Sequence, residues 1–184
     1  MGKRVYLVRH CKAEGQEREA TLTDAGVKQA EELVHFFSTI EINRIITSPF
    51  TRAIDTIRPL AKQRKIDMEI DSRLSERLLS TKNLNDWQEK LKMSFGDLDL
   101  SYHGGESSWE AMNRGLEVIR NLQEDTRENI VIITHGNLMA LLLKSFQPSF
   151  GYDDWKNLSN PDVYLVELED ATIQRLWQQN KDIL

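Results

Sequence analysis

Three short motifs place arginine or histidine side chains at the ends of aliphatic runs of the sequence or a few residues after them. Arg9 and His10 close "LVRH", Arg52 closes "IITSPFTR", and His135 follows "VIIT". A guanidinium group binds a tetrahedral dianion through two parallel hydrogen bonds, and a neutral imidazole is a nucleophile or a general base. These residue types together predict a site that binds a phosphate group.

Paired histidines also suggest zinc, but the sequence argues against a zinc site. His-x-x-x-His spacing and cysteine pairs are absent, and Cys11 is the single cysteine. Two arginines beside the histidines would repel a divalent cation. We therefore expect no metal ion, and the same cysteine count excludes a framework of disulfide bonds within the chain.

The elements that must position these side chains alternate along the chain. Short β-rich runs predict strands over 4–8, 44–47, 67–70, 129–134, 162–168 and 172–177. Amphipathic or apolar stretches between them predict helices over 24–37, 50–64, 108–124 and 137–146. Alternating strands and helices indicate a layered α/β domain with a mostly parallel sheet.

The helix patterns also predict which faces are buried. In helix 24–37, with Thr23 as N-cap, the apolar stripe consists of Val27, Ala30, Leu33, Val34 and Phe37. In helix 108–124 it consists of Trp109, Met112, Leu116 and Ile119. Helix 137–146 is apolar nearly all round, so we expect it to be the most buried of the four.

The candidate site residues should meet at one edge of the sheet, because ligands of such sheets bind beyond the carboxyl ends of the strands. Arg9, His10 and His135 follow two strands, and Arg52 falls on the first turn of a helix. Helix amino termini favour anions. Residues 77–103 interrupt the alternation, and an insertion of that length is more often a functional lid than an idle loop.

Length and charge bound the class of protein. The 184 residues suit a single domain, 1–184, with a formal charge of −5. Nucleic acid and anionic membranes bind basic surfaces, so we expect neither as the main partner. The apolar stretch at the amino terminus is too short for a secretory signal, and no run approaches the roughly 18 apolar residues that cross a bilayer. We expect a cytoplasmic protein whose partner is a small molecule.

Six motifs, in order along the chain, carry a resemblance to a known family. They are "LVRHC", "LTDAGVKQA", "TSPFTRAIDT", "RLSER", "GGES" and "VIITHGNLMALLL". In this order they resemble the signature of the histidine phosphatase superfamily, the phosphoglycerate-mutase-like group, over nearly the whole chain. The resemblance implies a three-layer α/β/α sandwich with a short lid insertion at 77–103.

The resemblance also implies a mechanism. His10 would attack phosphorus in line and form a phosphohistidine, which a neutral imidazole can do. Arg9, Arg52 and His135 would hold the equatorial oxygens and stabilise the developing charge. Glu76 matches the family's proton donor, which protonates the leaving oxygen and later deprotonates water. No metal and no cofactor are needed.

Further positions are assigned by the same resemblance, some of them with departures. Gln16 stands where an Asn or a similar residue commonly touches phosphate, and Gly136 is the other expected substrate-binding position. Cys11 replaces the family's usual Gly, and Lys12 stands where an acid or another polar group is common. We interpret Cys11 as a small filler residue, in preference to a redox switch or a thiol nucleophile. His103 precedes "GGES" and could touch substrate.

Three activities remain open within the resemblance. Mutases carry a longer insertion with an adjacent arginine pair, whereas here about 28 residues separate Glu76 from "GGE", with Arg77, Lys82, Lys90 and Lys92 but no such pair. We therefore predict a phosphoric monoester hydrolase of the histidine acid-phosphatase type acting on small phosphorylated metabolites. The alternatives are a phosphoglycerate mutase and a catalytically impaired phospholigand-binding member. Phosphohistidine-protein phosphatases rank third among the activities, behind the phosphatase and the mutase, because they lack this acid and lid.

Overall fold

The computed structural model describes residues 2–177, so Met1 and residues 178–184 of the expected domain lie outside it. One six-stranded sheet runs through the described residues in the order β3-β2-β4-β1-β5-β6. The strands are β1 (Arg4–Arg9), β2 (Arg44–Thr47), β3 (Met68–Ile70), β4 (Asn129–Thr134), β5 (Asp162–Glu167) and β6 (Thr172–Arg175). All six predicted strands are confirmed.

The sheet is mostly parallel, as expected. β1 pairs with β4, and β2 pairs with both β4 and β3, in parallel register. β5 and β6 form an antiparallel extension on the other side of β1. The central strands are continuous aliphatic runs because helices cover them on both faces.

Six α-helices accompany the sheet within residues 2–177. They are α1 (Asp24–Phe36), α2 (Thr51–Arg64), α3 (Trp87–Gly96), α4 (Ser108–Asn121), α5 (Gly136–Phe146) and α6 (Tyr152–Lys156). The four predicted helices are confirmed within three residues at their ends. The Thr23 side chain accepts from the Gly26 N–H and caps α1, as expected. α3 and α6 were not predicted.

The apolar core lies in two layers, one on each face of the sheet. One layer joins β1 and β4 to α1 and α2 through Leu33, Phe37 and Ile57. The other joins the opposite faces of the strands to α4 and α5 through Met112 and Leu138. The sandwich therefore has the three layers that were expected, and α5 is the most completely buried helix.

Two residues of the predicted apolar stripes are on the surface. Val27 is 51% exposed and Trp109 is 50% exposed. The buried faces of α1 and α4 include small residues beside the larger apolar ones, among them Gly26, Ala111 and Gly115. A Cβ at Gly26 would collide with the Lys12 carbonyl oxygen. These small residues let each helix approach its neighbours closely.

Segment 77–103 carries α3, which packs against α6. The ring centroids of Trp87 and Trp155 are 6.3 Å apart, and those of Phe95 and Tyr152 are also 6.3 Å apart. The two ends of the segment meet where the Thr81 N–H donates to the His103 carbonyl at 3.0 Å. Among the helices of residues 2–177, none is long and apolar enough to cross a membrane.

Candidate active site

The ends of β1 and β4 bring the two candidate histidines together. Arg9 pairs with Thr134 in the parallel register, and the His10 N–H continues the ladder to the Thr134 carbonyl at 3.0 Å. His10 and His135 follow these strands directly, with ring centroids 5.1 Å apart. The expected meeting of the two imidazoles at one sheet edge is confirmed.

Backbone and side-chain contacts define the state of the His10 ring. Nδ1 lies 2.7 Å from the Cys11 carbonyl oxygen, which only accepts, so Nδ1 carries the proton. Nε2 accepts a hydrogen bond from Arg52 Nε at 3.2 Å. Burial, offset by the Cys11 hydrogen bond and reinforced by the charges of Arg52 and Arg9, lowers the pKa of His10 to about 3. The ring is therefore neutral near pH 7, with an unprotonated Nε2.

Arg52 is a buried cation on the first turn of α2, as expected. Its side chain is 1% exposed. Nη1 donates to the carbonyl oxygens of Gln16 and Glu17, at 3.1 and 2.8 Å. The guanidinium carbon lies 4.8 Å from the centroid of the Phe50 ring, a cation–π contact. These contacts fix the guanidinium beside His10.

Arg9 reaches the same edge from β1 and packs against the start of α5. Its Nη1 donates to the Leu158 carbonyl at 3.1 Å, while Nε is buried without a hydrogen-bond partner in the described part of the chain. A Cβ built on Gly136 would lie 2.9 Å from Cζ of Arg9. The absence of a side chain at position 136 therefore makes room for the guanidinium.

His135 is fully buried at the residue that precedes α5. Its Nε2 lies 2.7 Å from Ser48 Oγ, and Nδ1 has no partner within residues 2–177. The Phe50 ring packs edge-on against it, with centroids 4.7 Å apart. Burial, followed by the charges of His10, Arg52, Arg114 and Arg9, holds the pKa of His135 well below 6.5. This second imidazole is also neutral.

The Glu76 carboxylate caps the amino terminus of α5. Oε1 accepts from the backbone N–H groups of Leu138 and Arg77, at 2.9 and 2.8 Å, and Oε2 accepts from that of Asn137 at 3.0 Å. A helix amino terminus stabilises an anion through its free N–H groups and its dipole. The contact places Glu76 at the helix that His135 precedes.

Gln16 and Gly136, the expected substrate-binding positions, differ in what the structure shows. Gly136 lies against Arg9, inside the cluster. The Gln16 side chain is exposed, and its only hydrogen bond to the cluster is the one its carbonyl accepts from Arg52. Direct contact of either residue with phosphate stays a prediction.

The remaining residues singled out in the sequence lie around the site. Cys11 is buried among apolar side chains, and burial raises the pKa of its thiol to about 12, which suits a filler residue. Lys12 is exposed, and so are His35 and His103. His103 is engaged with Thr81 where the two ends of segment 77–103 meet.

Sequence reasoning missed several residues that support the site. The Asn160 side chain donates to the His10 carbonyl at 2.8 Å, and the Phe50 ring packs against two of the site residues, Arg52 and His135. Glu106 and Arg114 form an ion pair beside the Glu76 segment. Only Glu106 carried a signal, as part of "GGES", because the others come from segments with no distinctive pattern.

Comparison with known proteins identifies relatives of this chain. A family model described as "Histidine phosphatase superfamily (branch 1)" matches residues 5–180. A probable phosphoglycerate mutase, GpmB, of Proteus mirabilis is 27% identical over 159 residues, covering 77% of this chain and 73% of the relative. A glucosyl-3-phosphoglycerate phosphatase of Mycolicibacterium vanbaalenii is 25% identical over 167 residues, covering 76% and 72%.

Solved structures share the fold. The mycobacterial glucosyl-3-phosphoglycerate phosphatase in complex with inorganic phosphate superposes with a TM-score of 0.76 at 20% identity, covering 95% of this chain and 96% of that one. Bacillus stearothermophilus YhfR gives a TM-score of 0.76 at 21% identity, covering 94% and 95%. At these identities the likeness concerns the fold alone.

Proposed function

The chain belongs to the histidine phosphatase superfamily, and from this premise we propose that it is a metal-independent phosphomonoesterase acting through a phosphohistidine on His10. The superfamily and the phosphatases among the relatives support a phosphatase enzyme. The substrates we propose are small phosphorylated metabolites. The observation that carries the proposal is the state of His10: a neutral ring whose unprotonated Nε2 faces a buried guanidinium.

Formation of the phosphoenzyme uses that nitrogen. A phosphate oxygen is a stronger acceptor than an imidazole, so it takes the Arg52 Nε–H and frees the Nε2 lone pair. Nε2 then attacks phosphorus in line, and the bond between phosphorus and the ester oxygen breaks. The Nδ1–H bond to the Cys11 carbonyl stabilises the positive charge that develops on the ring.

Three side chains hold the equatorial oxygens. Arg9 offers its unpartnered Nε, and Arg52 is fixed by two backbone carbonyls and by Phe50. With Ser48 donating its hydroxyl proton to Nε2, His135 presents Nδ1–H to the anion. Such preorganised donors stabilise the transition state because they need no reorganisation as charge develops.

Glu76 moves the protons in both half-reactions. Its Oε1 already accepts two N–H groups, whereas Oε2 accepts one, so Oε2 is the oxygen with a lone pair left for a proton. In the first half-reaction Glu76 gives this proton to the departing ester oxygen. In the second it takes a proton from the water that attacks phosphorus, the P–N bond breaks, and neutral His10 returns.

The contacts of the positively charged side chains in segment 77–103 favour a phosphatase over a mutase. Arg77 is 6% exposed and donates to the Ser94 hydroxyl and the Glu106 carbonyl. Lys90 is paired with Asp86 at 2.5 Å. Of the four cations in segment 77–103, two therefore bind other residues of the protein. Fewer positive side chains are left to bind a second anionic group of a substrate, as a mutase requires.

Hydrolysis of p-nitrophenyl phosphate in the presence of EDTA tests the proposed activity. We expect turnover by the wild-type chain and its loss in His10→Ala, whereas His35→Ala, at an exposed histidine of α1, keeps it. Calorimetric binding of inorganic phosphate without any turnover would identify a binding module instead. Turnover abolished by EDTA and restored by a divalent ion would contradict the metal-independent mechanism.

The fate of 3-phosphoglycerate separates the two enzymatic activities. A phosphatase releases inorganic phosphate from it, while a mutase converts it to the 2-isomer. We expect phosphate release that His10→Ala abolishes. Accumulation of the 2-isomer without equivalent phosphate would replace the proposed activity with that of a mutase.

A further inference from the structure

An ion pair outside the candidate phosphate site binds the chain segment that carries Glu76. Arg114, on α4, binds the Glu106 carboxylate through two parallel hydrogen bonds, Nε to Oε1 at 2.7 Å and Nη2 to Oε2 at 2.9 Å. The same guanidinium donates to the carbonyl oxygens of Arg73 at 2.6 Å and Glu76 at 3.4 Å. Arg114 thus holds the backbone on both sides of residue 75.

Glu106 grips the same segment on its other side. Its backbone N–H donates to the Leu78 carbonyl at 2.8 Å, and the Leu78 N–H points to Oε2 at 3.4 Å. Its carbonyl oxygen accepts from Arg77 Nε and Nη2, at 3.2 and 3.0 Å. The pair therefore fixes the main chain of this segment at three residues, Arg73, Glu76 and Leu78, and it also holds the Arg77 side chain.

We propose that Glu106 and Arg114 are positioning residues for Glu76, an inference that rests on the proposed function. Proton transfer needs the carboxylate placed to within a fraction of an ångström, and a side chain is only as well placed as its backbone. The Glu76 side chain is held by α5, and its backbone is held by this ion pair. The pair acts through Glu76 and needs no contact with substrate.

The dependence on the leaving group distinguishes this role from a purely structural one. An alkyl phosphate such as glycerol 2-phosphate needs a proton on its departing oxygen, whereas p-nitrophenolate leaves as an anion. Because kcat/KM covers the steps up to the phosphoenzyme, its ratio for the two substrates reports the proton transfer. Arg114 also adds charge near His135. If the substitution acted through His135 instead, kcat/KM would fall by the same factor for both substrates.

The experiment measures this ratio in Arg114→Met, Glu106→Gln and Glu76→Gln, with Arg114→Lys as the conservative variant. Positioned proton transfer contributes about 100-fold or more. We expect Glu76→Gln to lose about that factor with the alkyl phosphate, and Arg114→Met and Glu106→Gln about tenfold. With p-nitrophenyl phosphate each loses less than about threefold. Arg114→Lys, which keeps the positive charge on a single nitrogen without the planar fork, should recover part of the loss.

Arg73→Met is the matched control. Arg73 lies on the same segment, but its side chain binds Asp71 and Glu117 and makes no hydrogen bond to residues 76–78. Its substitution should leave the substrate ratio unchanged. A double variant adds the sharpest readout: Arg114→Met placed in Glu76→Gln should lower alkyl-phosphate turnover no further, because the group it positions is gone.

Three results would overturn the inference. The first is a change in the substrate ratio in Glu76→Gln that is absent from folded Arg114→Met and Glu106→Gln. This result would leave the proposed function intact. The second is full additivity in the double variant. The third is a wild-type chain that hydrolyses neither substrate, which removes the proposed function as well. If Arg114→Met fails to fold by circular dichroism, Glu106→Gln and Arg114→Lys decide the outcome.

Discussion

A single methyl group at position 136 should separate catalysis from folding in this protein. In Gly136→Ala the new Cβ would lie 2.9 Å from Cζ of Arg9 and 3.0 Å from its Nε and Nη2. Non-bonded carbon atoms rest about 3.5–4.0 Å apart, so the guanidinium must move away by roughly 0.5–1 Å. The guanidinium is the far end of the flexible Arg9 side chain, so this movement costs little folding free energy.

The expected loss of activity follows from that displacement. A misplacement of about 1 Å in a catalytic constellation lowers the rate by up to about 100-fold. We therefore expect kcat/KM for p-nitrophenyl phosphate to fall by about 10- to 100-fold, or about 1.4–2.7 kcal/mol of transition-state stabilisation. The free energy of unfolding should change by less than about 1 kcal/mol, because alanine favours helix where glycine does not.

Steady-state kinetics and urea unfolding on the same preparations test both parts. Gly96→Ala is the matched control, since nothing lies within 4 Å of a Cβ at this position in α3. It should leave kcat/KM unchanged. Wild-type activity in Gly136→Ala would refute the role of Arg9 as a tightly placed phosphate ligand. A parallel collapse of stability would refute the argument that the methyl group displaces only a flexible side chain.

Other expectations concern the buried histidines and the thiol. The pKa of folded His10 is about 3 against about 6.5 when unfolded, so the unfolded chain binds an extra proton and unfolding becomes easier as pH falls from 6.5 to 3. The free energy of unfolding, measured with urea and plotted against pH, should have a smaller slope in His10→Gln between pH 3 and 6.5, because up to one proton fewer is taken up on unfolding. An unchanged slope would contradict the burial of His10. Ser48→Ala leaves Nε2 of buried His135 without its partner and should lower the free energy of unfolding by about 1–3 kcal/mol in the same assay; no change would show that the contact is dispensable. Iodoacetamide should not modify Cys11 until the chain is unfolded, because burial raises its thiol pKa to about 12, and rapid labelling of the native protein would contradict this.

The part of the candidate site that lies at the strand ends could be predicted from the sequence. The central strands are uninterrupted aliphatic runs, and parallel strands present their carboxyl ends at one edge. These rules bring Arg9, His10 and His135 together, and the following helix adds Arg52. The state of His10 could not be predicted in this way, because it depends on one carbonyl, one guanidinium and burial.

Other features depend on contacts that sequence spacing does not encode. α6 has only five residues, and Trp87 and Met93 of α3 face solvent at 44% and 55% exposure, so neither helix has a clear amphipathic pattern. Glu106 is 30 residues beyond Glu76, and Asn160 is 150 residues beyond His10. Such partners become neighbours only when the chain has folded.

Trapping the covalent intermediate tests the central claim most directly. The enzyme would be mixed with a ³²P-labelled phosphomonoester, quenched in alkali within its first turnover, digested and mapped by mass spectrometry. We expect an acid-labile, alkali-stable phosphoryl group on Nε2 of His10, absent from His10→Ala. A phosphoryl group on any other residue, or hydrolysis of the ester with no phosphoenzyme in the first turnover, would contradict it.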